Sequence, residues 1–352
     1  MSEMGVRRKV LPRSVAELED ELARPGAELA AEAAAWPAGR MLVLGAGGKT
    51  GTGISVMARR ALDTAGRGDI EVVAVSRWTD EARTAHLEKQ GVRTLRVDLG
   101  DPAAVADLPD ATAVIHLVGA KFGTATAPEQ AWMTNTVLPA YVARRFPAAR
   151  TVALSTGNVY AMTAPTAGGP RESDPTGPQG DYALTCLGRE QVFRHAARTF
   201  GTPVALIRLN YACEPRYGVL ADLARTLLRD EAVDLTTGAV NVVWQRYANE
   251  VVLRCLGHTG PDEAFTLNLT GPETASVRVL ALRLAERLGV TPRFSGEPPV
   301  TSLLSDATLC HTLFGYPDLP LGALIDLQAD WLLAGGETWD KPTKFERRDG
   351  RF

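Results

Sequence analysis

Short apolar runs alternate along the chain with longer segments of helical length. Mostly apolar runs fall at residues 41–44, 70–75, 94–97, 113–118, 151–154 and 204–209. They are too short for buried helices and read as strands covered on both faces. Segments such as 53–65 and 128–146 between them have the length and pattern of helices. Buried strands alternating with helices predict an α/β fold with a doubly wound parallel sheet. After residue 209 the alternation loosens. Residues 219–228 and 276–288 predict amphipathic helices, and 265–269 predict a strand returning to the sheet. The expected organisation is a sheet domain over 41–209 and a smaller substrate-side lobe over 210–335.

The two ends read differently. Residues 1–40 look like a helical extension. Ser14-Val15-Ala16-Glu17 fits a capping box, and Pro25-Gly26 interrupts the helix it opens. Residues 27–35 predict a second short helix, packed on the domain or on a partner subunit. Residues 336–352 are polar and charged without period, which predicts an arm or a frayed end. Residues 163–180 are rich in Gly and Pro and predict a long loop, a kind of segment that is often functional.

Directly after the first strand comes Gly45-Ala46-Gly47-Gly48-Lys49-Thr50-Gly51. Gly45, Gly48 and Gly51 give a tight turn, a close backbone approach and close helix–strand packing, the needs of a Rossmann-type dinucleotide site. A triphosphate-binding loop needs a glycine five positions before Gly48, where Val43 stands. Lys49 and Thr50 therefore count as part of a dinucleotide turn. The second strand runs into Ser76 and Arg77 rather than an acidic residue. That pair suits a 2'-phosphate, so NADP(H) is favoured over NAD(H), with a solvated surface arginine as the alternative. Lys49 would add to the same preference. Asp98, after the third strand, either reaches the adenine amino group or caps a turn.

Composition narrows the classes. The 352 residues carry a net charge of -3, which argues against nucleic-acid and anionic-membrane partners. No apolar run reaches the ~18 residues of a membrane span, and the first residues lack the apolar core of a signal peptide. Four well-separated cysteines, Cys186, Cys213, Cys255 and Cys310, show no metal-ligand spacing. They are expected as reduced thiols in a cytoplasmic protein without bound metal. Lysine is scarce: only Lys9, Lys49, Lys89, Lys121, Lys341 and Lys344 occur.

Several motifs then fall in a telling order: the glycine turn, Asp98-Leu99, Val114-Ile115-His116-Leu117 and Asn135. They continue with Ser155-Thr156-Gly157-Asn158-Val159-Tyr160, Gly180-Asp181-Tyr182, Arg208-Leu209-Asn210 and Asn268-Leu269-Thr270-Gly271-Pro272-Glu273. In this order and spacing the chain resembles the extended short-chain dehydrogenase/reductase family, also called NAD-dependent epimerase/dehydratases. It is also similar to a bacterial branch of that family, on Gly47-Gly48-Lys49, Lys121-Phe122-Gly123 and Lys341-Pro342-Thr343-Lys344-Phe345-Glu346.

The resemblance implies an oxidoreductase or epimerase acting on a sugar-like or other small hydroxy or carbonyl substrate. It implies Tyr182 as acid/base, Thr156 polarising the reacting oxygen, and Leu117, Val118 and Gly119 beside the cofactor. It places Asn158, Tyr211, Arg216 and Tyr217 near substrate and implies a homodimer through the helices of the sheet domain. The family lysine four residues after the tyrosine is missing, and Cys186 stands there. A thiol supplies no fixed charge, and an unassisted tyrosine titrates near ~10. Lys121, just after the fourth strand, is the candidate replacement or a substrate contact. Arg189 is the other nearby cation. Non-redox epimerisation or dehydration with transient cofactor use, and an inactive NADP(H)-binding sensor, are the alternatives. His116, inside an apolar strand, reads as a core residue.

Overall fold

A computed structural model describes residues 12–352. The expected α/β architecture is present. Strands β1 (Gly39–Leu44), β2 (Ile70–Ser76), β3 (Arg93–Arg96), β4 (Ala113–His116), β5 (Arg150–Thr156) and β6 (Val204–Leu209) join a seventh, Phe265–Leu269. They form one parallel sheet in the order Phe265–Leu269, β6, β5, β4, β1, β2, β3. The order reverses between β1 and β4, the topological switch point where doubly wound sheets bind ligands. Central strands β1 and β4 are buried almost throughout because helices cover both faces, which explains their unbroken apolar runs.

Strand β4 stops at His116, two residues before the apolar run ends. There the chain turns toward the groove, and the Asn135 side chain takes over the backbone of Ala120: its Oδ1 accepts from the Ala120 N–H (2.8 Å) and its Nδ2 donates to the Ala120 carbonyl (2.9 Å). The helix predicted over 128–146 runs as Pro128–Trp132, a π-helical turn Met133–Val137 and Leu138–Arg145. Asn135 sits on the π turn, a local widening that recurs at functional sites.

The N-terminal extension is part of the domain. Helix α1 (Val15–Leu22) is capped by Ser14, and α2 (Ala27–Ala33) follows. Leu18, Leu22, Leu29 and Ala33 are buried in the main core. Their partners are α3 (Gly51–Thr64) and the helix Gln245–Arg254. Asn249 Nδ2 donates to the Leu22 carbonyl (3.1 Å) and the Gly26 N–H donates to Glu250 (3.1 Å), so the Tyr247-Ala248-Asn249 segment fastens the preface. Residues 1–11 of that predicted extension lie outside the described residues.

Beyond β6 the helices Val219–Leu228, Val277–Leu288 and Leu321–Leu333 pack together beside three short strand pairs. The segment 336–352 is not a frayed end. Phe345 and Phe352 are buried, and so is Thr343. Its few apolar residues are spaced irregularly, so no period revealed them, yet each finds a pocket on a different element.

Candidate active site

The glycine turn has the geometry its sequence implies. Gly45 adopts φ +84°, and its N–H and that of Ala46 donate to the Val75 carbonyl (2.9 and 3.1 Å). A Cβ on Gly51 would stand 2.5 Å from the Ala46 Cα, so only glycine lets α3 start there. Thr50, at the N-cap of α3, makes no side-chain cap, which leaves the first N–H groups of the helix free for an anion.

On one side of this turn lies a groove of about 750 Å³. Gly45, Gly48, Ser76, Arg77, Asp98, Leu99, Leu117, Val118 and Gly119 all line it. Asp98 Oδ1 also accepts from the Gly100 N–H (3.0 Å), so it caps a turn while facing the groove. Two residues here were not singled out from sequence. Trp78, buried at φ +41°, donates to the Leu95 carbonyl (3.1 Å). Arg83 donates to the Gly47 carbonyl (2.9 Å). Arg83 sits in the first turn of the helix Glu81–Lys89, where nothing in the local pattern marks it.

On the other side lies a cavity of about 210 Å³. Thr156, at the end of β5, and Tyr182, in the first turn of the helix Gly180–Phe200, both line it. Lys121, Asn158, Tyr211 and Tyr217 line it as well, together with Lys49 and Thr50 from the turn. Lys49 therefore lies away from Ser76 and Arg77, and it does not add to a 2'-phosphate site. Arg216 also stays away: it is buried against Glu214 (3.1 Å) and Glu19 (3.1 Å) and stacked on Trp339. Its charge is matched inside the protein and not offered to substrate.

Electrostatics in the cavity are unusual. Burial pushes the Tyr182 hydroxyl well above its ordinary range, and the neighbouring Cys186 raises it further. A hydrogen bond with Thr156 and the positive charge of Arg189 act in the opposite direction. Cys186 is buried, and burial raises its thiol too, so it stays neutral. Lys121 is pushed down to about 8 by burial, with Glu346 and Asp222 opposing. Its Nζ lies 5.9 Å from the centre of the Tyr182 ring. Lys49 is pushed down to about 7 by burial and then by the charges of Lys121 and Lys341.

Arg189 is buried and held by fixed partners. It donates to the Leu154 carbonyl (2.6 Å), to Asn135 Oδ1 (2.8 Å) and to the Asn135 carbonyl (3.4 Å). These partners hold its positive charge in a fixed position. Asn135 is saturated, with its Nδ2 also donating to Thr185 (2.9 Å). Glu172 accepts from the Asn268 N–H (2.8 Å) and ties the long loop to the last strand. His116 is fully buried against Phe193 with neither ring nitrogen bonded, and burial pushes its pKa well down. It is a neutral core residue.

The segment 336–352 roofs this cavity. Thr343 is clamped by Asp222, which accepts from its N–H (2.7 Å) and its hydroxyl (2.6 Å). The Thr343 carbonyl accepts from Lys121 Nζ (2.8 Å). The Phe352 ring packs edge-on to Tyr182 (5.4 Å between centres) and lies 4.3 Å from Lys121 Nζ. The strap thus touches Tyr182 and Lys121.

A sequence profile of the NAD dependent epimerase/dehydratase family matches residues 41–239, more than half of the chain. The chain belongs to that family. No curated protein sequence gives a significant match. Among solved structures, a dTDP-glucose 4,6-dehydratase from Streptomyces venezuelae with NAD bound superposes with a TM-score of 0.70 at 20% identity, covering 84% of this chain and 97% of that one. A UDP-glucuronic acid 4-epimerase from Bacillus cereus, in complex with UDP-4-deoxy-4-fluoro-glucuronic acid and NAD, gives 0.69 at 17% identity, covering 84% and 99%. A UDP-glucose 4-epimerase from Thermotoga maritima with UDP-glucose gives 0.68 at 17%, again covering 84% and 99%. These likenesses establish the shared fold. Among the described residues no helix is long and apolar enough to cross a membrane.

Proposed function

We propose that this protein is a nicotinamide-dinucleotide-dependent oxidoreductase or epimerase acting on a sugar-like or other small hydroxy or carbonyl substrate. One observation carries the reading. Tyr182, Thr156 and Lys121 come from three separate elements yet line one cavity beside the glycine turn. The bare N-terminus of α3 and the glycine cradle fit a dinucleotide diphosphate. Bound there, the nicotinamide supplies hydride transfer. Tyr182 would exchange the proton of the reacting oxygen, and Thr156 would hold that oxygen by a hydrogen bond. Lys121, once released from Thr343, would bring the charge that Cys186 lacks. Arg189 adds its fixed positive charge.

The solved neighbours described above that name a cofactor contain NAD. In this chain Ser76, Arg77 and Arg83 line the corresponding groove, and two cations suit a 2'-phosphate. Parallel fluorescence titrations with NADH and NADPH rank the two. Activity is then screened on sugar acids, ketosugars and nucleotide sugars with wild type and Tyr182→Phe. Product formed without net change in nicotinamide absorbance would assign epimerisation or dehydration. Dinucleotide binding without turnover on any of these substrates would assign a sensor, a reading favoured by Cys186 and by the strap on Tyr182. We also propose a homodimer. Trp132, Met133 and Leu184 expose 42, 47 and 43% of their surface on helices of the sheet domain. A Trp132→Glu variant that leaves the mass in solution unchanged would count against this.

A further inference from the structure

We infer that the cavity selects a substrate bearing an oxyanion, a carboxylate or a phosphate, held by Lys49 and Lys121 beside Tyr182 and Thr156. This rests on the reading of Tyr182 and Thr156 as the reacting pair.

The protein has six lysines, and two of them line this one small cavity. No carboxylate among the described residues lines it. Two more lysines approach from the strap. The ring of Phe122 has Lys49, Lys121 and Lys344 around it, at 5.4, 5.7 and 5.7 Å from its centre. Of the two nearby acids, Asp222 is taken by Thr343 and by Arg225 (2.5 Å), and Glu346 on the strap acts on Lys121 from outside the cavity lining. Lys49 is therefore satisfied by an aromatic face, with its Nζ 3.0 Å above the Tyr217 ring, and Lys121 by the Thr343 carbonyl. Aromatic faces and a carbonyl are partial partners for cations withdrawn from water. The downward shifts of both lysines agree: burial disfavours their charged forms, Lys121 and Lys341 add to this at Lys49, and Glu346 and Asp222 offset it only in part at Lys121. A ligand oxyanion would supply the missing negative charge, and lysine suits it as a compact point charge. The space of about 210 Å³ under the strap restricts that substrate to a small one.

The test uses the full chain saturated with whichever dinucleotide binds, so that the cofactor's own phosphate sites are filled. Inorganic phosphate and malonate are titrated in separate calorimetric runs. At least one is expected to bind, about tenfold more weakly in Lys49→Met and in Lys121→Met. Lys49→Arg should restore binding. Arg198→Ala, which removes a positive charge at the far end of the helix Gly180–Phe200, should bind like wild type. Phosphate alone or malonate alone identifies the oxyanion. Dinucleotide binding with no anion binding, or anion binding equal in both Met variants and wild type, overturns this inference and leaves the proposed function standing. Absence of dinucleotide binding overturns the proposed function and this inference with it.

Discussion

The groove beside Ser76 and Arg77 and the cavity beside Tyr182 share the glycine turn as a common wall. The groove is made largely from residues at the ends of consecutive strands. The cavity is made from side chains that arrive from the turn, β5, the helix Gly180–Phe200, the loops after β4 and β6, and the strap. A site built at strand ends follows once the fold forms, because glycine positions and strand ends dictate it. A site built from converging side chains can change its chemistry through one residue, and the proposed role of Cys186 would be such a change. The same fold thus carries a groove of strand ends next to a cavity whose Tyr182 is followed four residues later by Cys186, where the family pattern has lysine.

The largest effect that can break this contrast is on turnover. Tyr182→Phe should lower turnover by ~10²–10⁴-fold, the usual worth of a positioned acid/base, while dinucleotide affinity stays constant by fluorescence titration. Equal loss of both would mean that groove and cavity are not separable.

Removing residues 339–352 comes next. Phe345 and Phe352 are buried, so denaturant unfolding should show a loss of roughly 3 kcal/mol or more. ADP-ribose, which needs only the groove and the turn, should still bind. A loss near zero would return the segment to a solvated arm.

Arg77→Ala probes the groove alone. NADPH affinity should fall about tenfold with NADH affinity unchanged, the worth of one charged contact. Parallel changes for both cofactors would remove the 2'-phosphate role.

The smallest effect concerns Lys49. Its folded value of about 7 lies below the ordinary 10.5, so burial disfavours its charged form. That cost is full below pH 7, where both folded and unfolded chains carry the proton. It shrinks as pH rises from 7 to 10.5 and is gone above. Lys49→Met should therefore melt roughly 2 °C higher at pH 6, with the difference fading toward pH 10.5 in a thermal scan. A variant less stable than wild type at pH 6 would show that the lysine is compensated after all.

Much of the groove was legible because its requirements are local. Gly45 and Gly51 are fixed by a positive φ and by contact with Ala46, and nine predicted residues fall along one wall. The cavity was legible only in part. Thr156 and Tyr182, which line it, were reached through the family resemblance, and Lys121 by its place after β4. The sequence marked Arg216 as a substrate contact, but its partners Glu19 and Glu214 bury it elsewhere. Arg83 was missed because its reach to Gly47 crosses from one helix to a distant turn.

The chain by itself determined the doubly wound sheet, the glycine turn and the absence of a lysine after Tyr182. Those depend on short-range period, on glycine's backbone freedom and on residue identity. Only the tertiary structure decided that the polar segment 336–352 closes over Tyr182, and that Lys49 turns toward Lys121 rather than Arg77. Both outcomes come from contacts between residues far apart in sequence, such as Lys121 with Thr343 at a separation of 222, and no local pattern encodes them.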